Sequence, residues 1–325
     1  DRRRLLRWGM GLYALTFFVY LLPLSGGVIV FLRFLHASLA SLYTITTVAV
    51  LVDATPVANR GRVFGLWQAT TKAGFLIGPL AGGLLGSVSL EAVFVFSGLA
   101  CFASFLSMLR IPPTRAEAGG DRPRLLERMP GRTVVRLLKL MLMAAAGDYL
   151  SGTFLAFWSI WLLQHGASPV DVGVSFCFFA LPGVVLSTLF GAYADGHGAK
   201  GLVAASCLAM VAIGPLCASA TLMWQLHAVA FAAGLASSIA RPVLNAEVSK
   251  QVGPGLQSRA QGVFFMGLML VQLLASIIGG LLLSHSAYAM FGVISIVAVG
   301  SLAAVLVAYP LGPDTGHEAA EPAVA

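Results

Sequence analysis

The chain of 325 residues is 58% hydrophobic and 10% charged, with a mean hydropathy of +0.89. This composition excludes an ordinary soluble domain. The formal net charge of +7 does not indicate nucleic-acid binding, because the basic residues flank apolar segments instead of forming a patch with aromatic residues. We interpret the chain as a multi-pass membrane protein.

Apolar runs long enough to cross a hydrocarbon core of about 30 Å predict ten spans. They lie near residues 5–23, 27–52, 61–86, 91–109, 138–163, 171–193, 201–219, 222–246, 260–284 and 286–308. The polar, arginine-rich stretch between the fourth and fifth spans predicts a cytoplasmic linker over 111–137. This divides an N-terminal half, 1–110, from a C-terminal half, 138–308, and a tail follows over 309–325.

Lysine and arginine residues alternate from one set of helix ends to the other. One set carries many of them, whereas the opposite ends, near Leu24, Ser89 and Ser219, carry none. By the positive-inside rule the basic ends are cytoplasmic. We therefore predict a protein of the cell (inner) membrane whose visible N-terminus and C-terminus are both cytoplasmic.

The second span carries a polar stripe at helical spacing, formed by Arg33, His36, Ala40, Tyr43 and Thr47. An arginine that faces lipid costs at least about 2.5 kcal/mol. Arg33 therefore faces protein or a water-filled cavity, or it snorkels to the outer interface. For His36, a hydrogen-bonded structural role and a titrating role both stay open.

The third span carries glycines at helical spacing around a proline. Gly74, Gly78 and Gly82 fall one turn apart on one face, so another backbone can approach closely there. Pro79 removes a backbone donor and bends the helix at that face. Simple close packing in a membrane bundle and a working contact with the other half both fit this spacing.

Lys72 lies in the same span, about 200° around the helix from Gly74. Lipid would reject its charge, so we expect it to face a central cavity together with Gln68. There Lys72 would bind an anionic substrate group or pair with an acid.

An internal repeat links the two halves at a constant offset of 197 residues. Arg62, Gly65 and Gly82-Gly83 recur as Arg259, Gly262 and Gly279-Gly280. The start of the chain aligns with residues 199–203, so the fifth and sixth spans have no counterparts in the first half. The repeat predicts a six-plus-six protein that lacks its first two helices, with about 60 to 75 residues preceding Asp1 in the intact protein.

Asp148 lies at least one turn inside the fifth predicted span, with Ser151, Leu155 and Trp158 continuing its face. No lysine or arginine lies within reach on that helix. A buried carboxyl without a local cation is suited to carry protons, so we predict that Asp148 is the coupling carboxylate. The alternative is a carboxylate near the cytoplasmic end that meets solvated arginines of the linker.

A second motif follows the sixth span and reads Gly191-Ala-Tyr-Ala-Asp195-Gly-His-Gly198-Ala-Lys200. Asp195 sits where it can face the start of a neighbouring helix, which is worth about 0.3 to 1 kcal/mol. Such a contact would latch one side of the protein in one transport state. A solvated turn without a latch is the alternative.

These motifs resemble those of the major facilitator superfamily. Its fifth helix carries a glycine-proline signature, typical of drug:proton antiporters, which is matched here by Gly65, Gly74, Gly78, Pro79, Gly82 and Gly83. The loop motif from Gly191 to Lys200 and the pair Arg33 and His36 resemble two further signatures. Two departures are Ala37, where the family has glycine, and the missing aspartate of the first loop motif.

The resemblance implies an all-α membrane fold of two parallel six-helix halves. Ten of the expected twelve helices are present, helices 3 to 6 in the first half and 7 to 12 in the second. It also implies that the helix beginning at Arg60 and Arg62 is the neighbour that Asp195 latches.

We therefore predict a secondary active transporter, a proton-coupled drug-resistance exporter of small hydrophobic or amphipathic compounds that works by alternating access as a monomer. Its predicted partners are a small-molecule substrate, protons and the lipid bilayer, with no nucleic acid and no cofactor. Uptake of a small organic anion by symport, with Lys72 and Arg33 as binding cations, is an alternative. A non-transporting membrane sensor is another. An enzyme is not expected, since metal-ligand spacing, a nucleophile elbow and a phosphate loop are all missing.

Overall fold

The computed structural model describes residues 2–55, 60–110, 129–250 and 257–308. Ten α-helices lie within these ranges, one for each predicted span, which confirms the all-α fold. They are α1 Arg2–Val19, α2 Gly26–Ala54, α3 Arg60–Gly86, α4 Leu90–Leu109, α5 Gly131–Gln164, α6 Pro169–His197, α7 Ala199–Ser219, α8 Met223–Lys250, α9 Gln257–Leu283 and α10 Ala287–Ala308.

Eight helices in the described part of the chain are long and apolar enough to cross a membrane. Of the other two, α1 has four arginines among its 18 residues. In α3, the stretch that qualifies as apolar is shorter, Ala73–Gly86. The ten-helix prediction therefore holds, and eight of the ten predicted spans meet the criteria of length and composition.

The chain forms two compact units, Asp1–Arg124 and Leu125–Ala325. In the first unit, α1 packs against α2 and α4, and α3 packs against α4. In the second unit, α5 packs against α8, α9 and α10, α6 packs against α8, and α7 packs against α8 and α10. Helix α5 begins at Gly131, inside the segment predicted as linker, because basic residues at a helix end can extend beyond the hydrocarbon core.

The four helices of the first unit recur as the last four of the second. Helices α1 to α4 begin at residues 2, 26, 60 and 90, and α7 to α10 begin at 199, 223, 257 and 287. Every pair differs by 197 (199 − 2, 223 − 26, 257 − 60 and 287 − 90), the offset that the sequence repeat predicts. Helices α5 and α6 have no counterparts among α1 to α4.

A basic side chain binds the free carbonyls at the end of the last helix in each unit. Arg7 of α1 donates to the carbonyls of Met108 and Leu109 at the end of α4. The ammonium of Lys200 on α7 lies 3.5 Å from the carbonyl oxygen of Leu306 near the end of α10. Leu109 and Leu306 are also 197 residues apart, so counterpart carbonyls bind a basic side chain in both units.

Glycines let the helices of the second unit touch backbone to backbone. A Cβ atom at Gly234 of α8 would overlap the backbone of Phe179 on α6. A Cβ atom at Gly214 of α7 would lie 2.5 Å from the carbonyl oxygen of Phe291 on α10. Small residues at such contacts are typical of membrane helices, where dispersion forces in close packing hold the bundle together. The contact at Gly234 holds α8, which carries one side of the candidate site, close against α6.

Candidate functional site

Asp148 lies near the middle of α5 and is 3% exposed. Of the residues predicted to share its face, Ser151 lines the same small cavity and Trp158 is fully buried. Leu155 is 60% exposed, so it does not continue the buried face. Asp148 is therefore both far from the ends of α5 and buried.

Asp148 is held by side chains from two other helices. The side-chain amide of Gln272 on α9 donates a hydrogen bond to Asp148 Oδ1 with an N···O distance of 2.8 Å. A guanidinium nitrogen of Arg241 on α8 lies 3.6 Å from the same oxygen. The side chain of Asp148 is 4% exposed and that of Arg241 is 37% exposed. An ion pair with a buried anion and a partly exposed cation therefore joins α5 to α8.

Gly152 brings the backbone of α9 directly against α5. A Cβ atom at this position would lie 2.8 Å from the carbonyl oxygen of Gln272 and 3.0 Å from Cβ of Ala275. Because any larger residue would force the two helices apart, glycine at this position sets how near Gln272 comes to Asp148, one turn away.

Arg241 is held between an anion and an aromatic ring. Its guanidinium carbon lies 5.5 Å from the ring centroid of Phe265 on α9, within the range of a cation–π contact. The guanidinium thus has Asp148 on one side and an aromatic face on the other.

A small cavity adjoins the ion pair, lined by Ala144, Gly147, Asp148, Ser151, Ser237, Ala240 and Arg241. Its volume of about 20 Å³ has room for one water molecule. The hydroxyl groups of Ser151 and Ser237 donate to the carbonyls of Gly147 and Gly234, so their oxygens can still accept hydrogen bonds. A water here would have several polar partners to bind.

The sequence did not link Asp148 to its partners. Those partners, Arg241 on α8 and Gln272 on α9, are residues that the sequence analysis does not indicate for this site. The available signal was general: a carboxylate inside a membrane span needs a polar partner from another helix. Which helix supplies that partner depends on packing.

His36 lies between α1 and α2 in the first unit. Its Nδ1 is 2.7 Å from the hydroxyl oxygen of Thr16, and that hydroxyl donates to the carbonyl of Tyr13. The hydroxyl of Thr16 thus lies within hydrogen-bond distance of both groups. The imidazole also packs 4.4 Å from the ring of Tyr13 and 4.9 Å from that of Phe17. This arrangement gives His36 a structural hydrogen bond, and its titration stays a prediction.

Arg33, one turn before His36, has its guanidinium carbon 5.7 Å from the ring centroid of Tyr20. The residue is exposed on the surface of its unit. A cation–π contact with Tyr20 is its described interaction, and a role in substrate binding stays a prediction.

The glycine face of α3 has open space around it within its own unit. A Cβ atom at Gly74, Gly78 or Gly82 would have no described atom of the unit within 4 Å. In α9, the repeat counterpart of Gly82 is Gly279, which packs against the ring of Phe157 on α5. Because α1 to α4 contain no counterpart of α5, the α3 face has no such neighbour in its unit. Pro79 lies inside α3, and Gly83 beside this face is buried.

Gly78→Leu is expected to leave the first unit folded, because the added side chain has room there. If the face closes against another helix during transport, overpacking that contact costs about 1 to 3 kcal/mol. We therefore expect normal membrane insertion and reduced substrate flux, measured by surface expression and vesicle transport. Gly292→Leu on α10, where a side chain also has open space, is the matched control. Unchanged flux in Gly78→Leu would show that the face is no working interface.

In the loop motif between α6 and α7, one position has a backbone conformation that favours glycine. Gly198 has φ +84°, a conformation that glycine adopts without strain, and its N–H binds the carbonyl of Ala194 to end α6. Lys200 caps α10 as described above. The latch stays a prediction, because the details of Gly191 and the side chains of Asp195, Arg60 and Arg62 lie outside the part that the structure describes. So do the side chains of Gln68 and Lys72.

The sequence model of the Major Facilitator Superfamily matches residues 1–163 and 140–324. This chain belongs to the Major Facilitator Superfamily. Members of this superfamily are multi-pass membrane transporters, and the eight apolar helices in the described part of this chain agree with that membership.

Two curated relatives are similar in sequence. The quinolone resistance protein NorA of Staphylococcus aureus (strain MRSA252) is 21% identical over 251 residues, covering 75% of this chain and 64% of that protein. The class E tetracycline resistance protein of Escherichia coli is 25% identical over 228 residues, covering 66% of this chain and 55% of that protein. The chain thus spans less than two thirds of either relative.

Among solved structures, the chain is similar to a bacterial homologue of the human lysosomal transporter Spinster in an inward-facing, unoccupied conformation. The TM-score is 0.65 at 14% identity, covering 94% of this chain and 80% of that one. At this identity the likeness shows a shared fold.

Proposed function

We propose that this transporter is a proton-coupled exporter of small hydrophobic or amphipathic compounds, with Asp148 as its proton-binding group. The observation that carries the proposal is the ion pair of the buried Asp148 with the partly exposed Arg241 between membrane-spanning helices. Ionisable groups in such positions are costly, and their usual use is in ion or substrate pathways.

Alternating access would use the two states of Asp148. The charged carboxylate is held by Arg241 and Gln272, whereas the protonated carboxyl has no charge with which to hold Arg241. Gain and loss of a proton would therefore change the contact between α5 and α8. In an exporter, proton entry at this site would be exchanged for substrate leaving the cell.

The direction of transport is supported by the two curated relatives, whose names describe resistance to quinolones and to tetracycline. A transporter confers resistance by lowering the internal concentration of a compound, which means export. The glycine-proline signature of α3, which resembles that of antiporters, supports the same direction.

Asp148→Asn tests the proposal in proteoliposomes with an imposed proton gradient. The amide is similar in size but does not exchange a proton, so we expect gradient-driven flux to fall to that of protein-free vesicles while substrate still binds. Glu91→Gln, which removes an exposed carboxylate in the first turn of α4, is the matched control and should keep full flux. A normal gradient response in Asp148→Asn would refute a coupling role for this carboxylate.

Uptake of an organic anion by proton symport is the second candidate, and one observation favours it. Arg241 is the exposed member of the ion pair, so the charge that a ligand meets first is positive. Protonation of Asp148 would free Arg241 for an anion, and the two would then bind together. Substrate added outside vesicles should make the interior alkaline by antiport and acidic by symport, which a pH-sensitive dye trapped inside distinguishes.

A further inference from the structure

We propose that Gln272 is the positioning residue that holds Asp148 in both of its protonation states, whereas Arg241 holds it in only one. The inference rests on the proposed role of Asp148 as the proton site. It assigns different tasks to the two helices that meet α5 at this point: α9 stays attached and α8 is released.

The chemistry of the two partners separates these tasks. A primary amide has both donors and an acceptor. Gln272 can therefore donate to the carboxylate, as it does here at 2.8 Å, and can also accept the O–H of the neutral acid. A guanidinium has donors only. Once Asp148 carries a proton, Arg241 loses its charge attraction to the group, whereas Gln272 can form two hydrogen bonds with it.

The packing of the two helices agrees with this division. The backbone of Gln272 lies against Gly152, with no room for a side chain between α5 and α9. By contrast, Arg241 contacts Asp148 at 3.6 Å through a side chain that is 37% exposed. Gln272 is therefore held in place by a backbone contact, whereas Arg241 is held by its side chain.

The surroundings of Asp148 leave few other charges to consider. Helices α6 to α10 all contact α5. Among their described residues, Arg241 is the charged group within ion-pair distance of Asp148. The thiol of Cys207 on α7 faces the carbonyl of Met143 instead.

Infrared difference spectroscopy of the purified protein during a pH titration tests the inference without any transport. The carbonyl band of protonated Asp148 is the one that disappears in Asp148→Asn. In Gln272→Leu we expect this band to move to higher frequency, since a hydrogen bond to the neutral acid is lost. Its midpoint should rise by about half to one pH unit, because the amide favours the charged form only modestly over the neutral one.

Arg241→Leu should behave differently from Gln272→Leu. Its midpoint should rise by about 1 to 3 pH units, the usual effect of removing a nearby opposite charge, while the band frequency stays unchanged. Gln261→Leu is the matched control, because Gln261 lies on the same helix and donates to the carbonyl of Asn245 on α8. It should alter neither the frequency nor the midpoint.

Three results would overturn the inference: an unchanged band frequency in Gln272→Leu, an equal frequency shift in Arg241→Leu, or no titrating band that Asp148→Asn removes. The proposed function fails by a separate measurement. If the bands respond as expected but Asp148→Asn keeps its gradient-driven flux, Gln272 still positions Asp148, and coupling lies elsewhere.

Discussion

Gly234→Ala is expected to prevent the second unit from folding correctly. The added methyl group would overlap the backbone of Phe179, so α6 and α8 would have to separate along their shared face. Overpacking of ordinary cores costs about 1 to 3 kcal/mol, and a clash with backbone exceeds this range because a backbone cannot change rotamer. We expect little monodisperse protein in detergent and a large drop in the melting temperature of any that remains.

Gly300→Ala provides the control for that substitution. Gly300 lies in the interior of α10, where a Cβ atom would have no described atom within 4 Å. Here alanine should stabilise the protein by about 0.5 to 1 kcal/mol, since glycine is a poor helix former. Equal yields and melting temperatures for the two variants would contradict the close contact of α6 with α8.

Arg241→Gln is expected to destabilise the second unit because it leaves Asp148 buried without a counter-ion. Removing one partner of a fully buried pair costs about 3 to 5 kcal/mol, and we expect about 2 to 3 here because Arg241 is partly exposed. The loss should be largest at alkaline pH, where Asp148 is charged, and should vanish at acid pH, where the wild-type pair is also broken. Thermal unfolding in detergent across pH measures it.

Two further variants check the origin of this loss. Asp148→Asn should cost less than Arg241→Gln, because the unpaired guanidinium reaches solvent whereas the unpaired carboxylate does not. The double variant should recover most of the stability that Arg241→Gln loses, and its stability should not depend on pH through this site. An alkaline loss as large in the double variant as in Arg241→Gln would show that packing, not charge, causes the effect.

The fold could be predicted from the sequence because each helix has a recognisable local sequence pattern. Apolar runs of membrane-spanning length marked ten helices, and the recurrence of Arg62 and Gly82 as Arg259 and Gly279 gave the offset that the helix starts share. The ends of the helices were predicted less accurately. The start of α5 at Gly131 was missed, because basic residues at a helix end resemble a loop by composition.

One residue of the candidate site, Asp148, could also be singled out from local sequence. Asp148 is conspicuous in the sequence because a carboxylate inside an apolar span has to be explained. Its charge, its burial and the membrane around it all follow from local composition. The sequence thus determined the membrane class, the two related halves and the residue on which the site is centred.

Only the tertiary structure decided what Asp148 touches. Arg241 and Gln272 lie 93 and 124 residues further along the chain (241 − 148 and 272 − 148), and no local pattern relates them to Asp148. Their positions depend on how closely α8 and α9 approach their neighbours, which Gly234 and Gly152 set through contacts with other helices. In lipid this approach is governed by packing between distant segments, so the ion pair appears only when the helices are assembled.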